Sequence, residues 1–355
     1  MNDYKKQFEE LIMLVAKEKA SDLHISSGRR PILRISGELI ALLKMPVLTP
    51  ADIEGMIFSI ISEEQKNEFF KEKTLDFSYT YQDKARFRVN IYFQHGYVAA
   101  AFRLIPVEIA TLADLNLPPI LAEFTRKEQG FFLVVGPTGH GKSTTLASMI
   151  DIINRERFEH IISIEDPIEY LFIPDKSLIE QREIGRDTLN FASALRSMFR
   201  QDVNVAMIGE MRDPETISTT VTAAETGHLV FSSLHTNSAS QTIDRIIDSF
   251  PSGQQNQIRT QLASALLGVF SQRLVPRISG GRIPAHELLI ANTAVRNLIR
   301  ENKVHEIDLF IETSSEEGMT SLNQSLIDLV RKGQITMESA KDYSLNVKGL
   351  EHLMG

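Results

Sequence analysis

The stretch GPTGHGKSTT at positions 136–145 follows directly on the apolar run FFLVV and constrains this chain more than any other feature. Gly136 and Gly141 bracket four residues, and Lys142 and Ser143 follow, which completes the pattern G-x-x-x-x-G-K-[ST]. Glycines at both ends let the backbone curl until successive N–H groups converge, and a helix opening at Lys142 aims its positive end at the same place. Such a cradle fits a phosphate. Lys142 adds a cation for the β- and γ-phosphates, and the Ser143 hydroxyl is placed for Mg²⁺. Hydrogen bonds to charged groups contribute about 1.5–3 kcal/mol each, so several amides and one lysine suffice to hold ATP. The candidate nucleotide contacts are Gly136, Pro137, Thr138, Gly139, His140, Gly141, Lys142, Ser143 and Thr144.

The chain around this loop changes character once. From the loop onward, short apolar runs (FFLVV, HIISI, VNVAMIG, HLVFSSL) alternate with longer helical stretches, the pattern of an α/β fold with a parallel sheet and crossover helices. The end is helical, with Leu322, Leu326, Leu329 and Val330 forming a stripe. Upstream, Phe8, Leu11, Ile12 and Val15 mark residues 4–19 as an amphipathic helix. LRISGELIAL reads as a hairpin turning at Ser36-Gly37. TLDFSYTYQ and ARFRVNIYF alternate as strands do, the second placing Phe87, Val89, Ile91 and Phe93 on one face and Arg86, Arg88 and Asn90 on the other. These features predict a small α+β domain over residues 1–104. The proline-bearing stretch 105–119 reads as a linker, and 120–355 as the nucleotide-binding domain with C-terminal helices.

Composition excludes several alternatives. The 355 residues carry 24% charged and 43% apolar side chains, ordinary for a soluble globular protein of about two domains. There is no cysteine, so disulfides and thiolate metal sites are excluded. The net charge of −8 argues against broad attachment to nucleic acid, and no nucleic-acid partner is expected. No apolar run approaches the ~18 residues that cross a bilayer, and the mixed-charge start MNDYKKQFEELIML does not read as a signal peptide. The expected location is the cytoplasm.

A phosphate loop binds; hydrolysis also needs groups that hold Mg²⁺ and orient water. HIISIEDPIEY places Glu165, Asp166 and Glu169 just past a strand, and VNVAMIGEMRD delivers Glu210 after another. Glu210 is favoured for polarising water and for the metal, with Glu165 and Glu169 supporting the metal shell; which glutamate is the base stays open. Gly209 stands where many such enzymes have an aspartate, which points to metal contact through water. His228 and His235 flank a strand-like stretch, and their odd separation argues against a shared zinc ion. His235 follows a strand of the same sheet as the loop and is a candidate γ-phosphate sensor. Arg86 and Arg88 read either as a solvated strand face or as trans-acting fingers, the latter worth roughly 10³–10⁵ in rate.

Taken together, SDLHIS, RFRVN, GPTGHGKST, IEDPIEY, GEMRD, AETGHLVFSSLHTNSA and AVRNLIRE resemble the secretion ATPase superfamily, specifically its type IV pilus retraction branch, the PilT family. The likeness covers nearly the whole chain. It departs at Val203 and Asn204, where the family commonly shows Pro-Asp/Glu, and at Val295, which replaces an isoleucine. The resemblance implies a RecA-like P-loop domain preceded by a smaller PAS-like domain, assembled as a homo-hexamer. It implies that Arg86, Arg88 and Arg103 reach toward phosphates, and that His228 and His235 report phosphate state. It further implies ATP hydrolysis coupled to pilus retraction and twitching motility. The expected partners are an inner-membrane platform protein and, indirectly, pilin. The alternatives are a RecA-like nucleic-acid translocase, disfavoured by the acidic charge balance, or an accessory retraction paralogue. Extension and secretion members of the superfamily usually carry a tetracysteine zinc element, which this chain lacks.

Overall fold

The computed structural model describes residues 4–18, 20–35, 37–82, 85–105 and 108–354. Packing divides the chain into two units, Met1–Glu108 with Glu169–Leu171, and Ile109–Ile168 with Phe172–Gly355.

The first unit opens with the helix Tyr4–Lys17, whose apolar stripe of Phe8, Leu11, Ile12 and Val15 is buried as its spacing requires. Six strands follow: β1 (Asp22–Ile25), β2 (Ile32–Ile35), β3 (Glu38–Ala41), β4 (Thr74–Tyr81), β5 (Ala85–Gln94) and β6 (Tyr97–Ile105). They form one antiparallel sheet in the order β3-β2-β1-β6-β5-β4. Alternation along β5 buries Phe87, Val89 and Ile91, which share a core with Phe8 and Phe102. Helices Pro50–Phe58 and Glu63–Glu72 precede β4, each opened by a capping box, Thr49 with Asp52 and Ser62 with Gln65. Of the hairpin turn, Gly37 has a positive φ and Ser36 lies outside the described residues.

The stretch read as a linker is only partly extended. β6 runs through Ile105, residues 106–107 lie outside the described residues, and Ile109–Pro119 pack with the second unit. Leu112 and Leu117 are buried there, and Thr111 and Asp114 cap each other's backbone and side chain.

The second unit holds seven strands: β7 (Gly130–Val135), β8 (His160–Glu165), β9 (Leu178–Glu183), β10 (Val205–Ile208), β11 (Leu229–Leu234), β12 (Leu266–Pro276) and β13 (Arg282–Ile290). Their order is β13-β12-β7-β11-β10-β8-β9, parallel throughout except for β13 against β12. The four apolar runs read as strands are β7, β8, β10 and β11. Buried on both faces, β7 and β11 show continuous apolar or small residues rather than alternation. The helices Lys142–Glu156, Phe191–Met198, Pro214–Glu225, Ala239–Asp248 and Ser252–Ala265 cover the sheet. The helix Leu322–Arg331 buries Leu322, Leu326 and Leu329 in a separate small core with Val275 and Ile283. Among the described residues, no helix is long and apolar enough to cross a membrane.

Candidate active site

The phosphate loop lies between β7 and the helix Lys142–Glu156, at the carboxyl end of the sheet, where open α/β folds bind ligands. Gly141 opens that helix at φ +83° with no side-chain cap, so its first amides face outward as donors. Gly136 has φ +143°, and a Cβ there would stand 2.4 Å from the Gln272 carbonyl oxygen. No side chain fits. Gly136→Ala is expected to lower stability by about 1–3 kcal/mol through backbone strain, read as a drop in unfolding temperature; an unchanged melt would mean the loop relaxes freely.

Lys142 is 7% exposed. Its Nζ donates to the carbonyls of Gly136 (3.0 Å) and Pro137 (3.1 Å) and approaches His235 Nδ1 at 3.3 Å. Thr138 Oγ1 lies 3.2 Å from the same nitrogen. Since an ammonium only donates, Nδ1 accepts, and the His235 proton sits on Nε2, which faces Glu210 Oε2 at 3.5 Å. Glu210 is also paired with Arg212, whose side chain is largely exposed and leans at 3.9 Å toward Asp166. One connected row of groups therefore runs from the phosphate loop through His235 to Glu210. A cavity of about 480 Å³ adjoins Glu210 and His235, with Arg212, Thr236 and Arg245 in its wall.

The other carboxylates are placed differently. Glu165, 5% exposed at the end of β8, accepts from Ser163 Oγ (2.7 Å) and Gln181 Nε2 (3.3 Å). Glu169 is exposed and falls in the short segment that packs with the first unit. Gly209 sits beside Glu165, and a Cβ there would meet Glu165 Cα and the Ile164 carbonyl oxygen at 3.4 Å each.

The two histidines are separated along the sheet. His228 precedes β11 and His235 follows it, a span of about 23 Å at the usual rise of a strand. His228 holds the carbonyl of Ala223 through Nδ1 (3.0 Å) and packs edge-on against Phe199, away from the phosphate loop. Arg88 and Arg103 stand directly opposite one another on β5 and β6, and Arg86 is two residues along β5. Like charges so paired repel. Asp22 offsets part of that through Arg103 (2.9 Å), yet the Arg103 side chain remains 69% exposed, leaving a cationic face suited to an anion.

Sequence reasoning missed Gln272, which no motif marks. From β12, beside β7, its amide donates to the His140 carbonyl (2.6 Å), and its oxygen accepts from Thr145 Oγ1 (2.6 Å). Leu274 N donates to His140 Nδ1 at 2.9 Å, so that ring is a neutral acceptor. Burial holds its pKa below the ordinary histidine value, with Arg273, Arg282 and Lys142 adding to the effect. His140 thus braces the loop from behind.

Mg²⁺ takes few protein ligands and keeps phosphates and waters. The half-buried Ser143 opens the helix beside Lys142, and Glu210 lies across the loop, so the donors present fit a metal held by Ser143 and phosphates with Glu210 reached through water. Among the described residues, no cluster of three or more His, Asp or Glu forms a metal cage.

Loop, open helix end, buried lysine and strand-end glutamate on a RecA-like sheet define a P-loop ATPase. Residues 4–280 match the family described as Type II/IV secretion system protein, and the chain belongs to that family. It is 44% identical over 333 residues to the type IV pilus retraction ATPase PilT of Pseudomonas aeruginosa, covering 94% of this chain and 96% of that one. It is equally 44% identical over 321 residues to a twitching motility protein of Neisseria gonorrhoeae, covering 90% and 86%. The crystal structure of the pilus retraction motor PilT with bound ADP superposes with TM-score 0.91 at 47% identity, over 97% of this chain and 98% of that one.

Proposed function

We propose that this chain is a ring-forming motor ATPase that couples ATP hydrolysis to type IV pilus retraction and hence to twitching motility. The observation that carries this is the likeness to a retraction ATPase along almost the entire chain, with the loop, Lys142 and Glu210 all in place. In this reading ATP and Mg²⁺ occupy the phosphate loop, and Glu210 orients the attacking water. His235 transmits the state of the γ-phosphate from Lys142 to Glu210. Glu165 and Glu169 support the metal's water shell. The arginine face of Arg86, Arg88 and Arg103 supplies cations to the triphosphate in an assembled homo-hexamer. The motor works in the cytoplasm at the inner membrane, against a platform protein and through it on pilin.

To drive a two-state motion from mostly open to mostly closed, the nucleotide must favour one state by about 5.5 kcal/mol. Contacts from several cations to one triphosphate supply differences of that order. The expected phenotype of a deletion strain is excess surface pili without twitching, scored by microscopy and a motility plate. Bald cells would instead identify an assembly motor, and unaltered pili and motility would remove the reading altogether.

A further inference from the structure

β12 is gripped from both sides at successive residues. Gln272 faces the phosphate loop, as described, whereas Ser271 and Arg273, on the opposite face, hold the segment that follows His235. Ser271 Oγ donates to the Asn237 carbonyl (3.0 Å), and Arg273 Nη2 donates to Asn237 Oδ1 (3.1 Å). Glu287 stands directly across from Ser271 on β13, and its Oε1 accepts from the backbone N–H of Ala239 at 2.8 Å. That amide belongs to the first residue of the helix Ala239–Asp248, which Ser238 caps. Thr242 closes the network, donating to the Ser238 carbonyl (2.7 Å) and meeting Thr236 Oγ1 at 2.6 Å. A buried carboxylate therefore anchors Ala239, four positions beyond His235.

We propose that Glu287 is a positioning residue for His235: with Arg273 it fixes residues 236–239, and so sets how the imidazole sits between Lys142 and Glu210. A carboxylate is an expensive choice for a site 8% exposed, since an amide or hydroxyl could accept the same bond. Its charge strengthens the bond to Ala239 and attracts the Arg273 guanidinium, which donates to Asn237.

The charged groups around it have been placed by the same packing. Burial pushes the Glu287 carboxyl up to about 7. The Ala239 amide and Arg273 favour the anion, while Asp308 and Glu312 on the helix Ile307–Thr313 oppose it. Above pH 7 the anion holds the segment; below it the protonated acid holds it less firmly. Turnover is expected to fall on that acid side without a matching loss of nucleotide affinity.

The sign for stability is opposite. A folded-state value above the ordinary 4.5 means that ionised Glu287 costs stability, an effect absent below about pH 4.5, growing through pH 7 and constant above it. Glu287→Gln keeps an acceptor for Ala239 but removes the charge. At pH 8 it is expected to melt at a higher temperature than the parent chain, yet to lower kcat about three- to tenfold with KM for ATP within about twofold. At pH 6 the two kcat values are expected to converge. A role in packing alone would move stability and kcat together.

This inference rests on the ATPase reading, so two controls separate them. Lys142→Ala measured in parallel tests hydrolysis itself. Amide hydrogen exchange of residues 236–240 at pH 8, with no nucleotide, tests the anchor independently and is expected to run several-fold faster in Glu287→Gln. Unchanged exchange, an unchanged kcat at pH 8, or an acid limb that persists in Glu287→Gln would each overturn the proposal.

Discussion

Lys142→Ala is expected to lower ATP turnover by about 10²–10³-fold, the loss typical of removing one preorganised donor from the charge that develops in a transition state. The ammonium is already desolvated and aimed: it lies within 3.3 Å of two loop carbonyls and His235. Bound phosphate oxygens would take over these contacts at little cost in reorganisation. The substitution also strips His235 Nδ1 of a donor, so the link from loop to Glu210 loses its first member. Lys142→Arg is expected to rescue little, because a planar guanidinium cannot replace a compact ammonium in a closed loop. The checks are steady-state hydrolysis and thermal melting of each variant. Hydrolysis by Lys142→Ala at the parental rate would remove the phosphate loop from the chemistry.

The legible part of this fold was the part whose chemistry is local in sequence. Gly136, Gly141, Lys142 and Ser143 carry a fixed spacing because one tight turn must satisfy one phosphate, so the loop could be read directly. β7, β8, β10 and β11 were visible as apolar runs because each is buried on both faces. β9 was not, because LIEQRE at the sheet edge is mostly polar. The long β12–β13 pair was also missed. LLGVFSQRLVP mixes apolar residues with Ser271, Gln272 and Arg273, whose partners at 140, 145 and 237 are distant in sequence. Such contacts have no spacing to betray them.

The histidines show the same limit from another direction. The odd separation of His228 and His235 suggested opposite faces of a strand, but what separates them is the length of β11, with one ring at each end. The charged network around Glu210 likewise has no spacing in the sequence: the fold alone brings Arg212, His235 and Lys142 into one row and leaves Glu165 to Ser163 and Gln181.

That difference between the two glutamates leads to the second large effect. Glu210→Gln is expected to cut kcat by about 10²–10⁴-fold, the range for loss of a positioned general base, with ATP binding retained. Glutamine keeps the shape and can still accept from His235 Nε2 but cannot take a proton from water. Arg212 now neutralises Glu210, yet this guanidinium is mostly exposed, and an exposed pair of this kind is weak enough to open when substrate arrives. Glu165, buried and accepting two side-chain hydrogen bonds, has no such freedom, so Glu165→Gln should disturb local packing and reduce turnover less. Single-turnover hydrolysis with bound ATP separates the two, because it isolates chemistry from binding and release. If Glu165→Gln stopped the chemical step while Glu210→Gln preserved it, the base would be Glu165, and the row from Lys142 through His235 would serve to sense phosphate rather than to activate water.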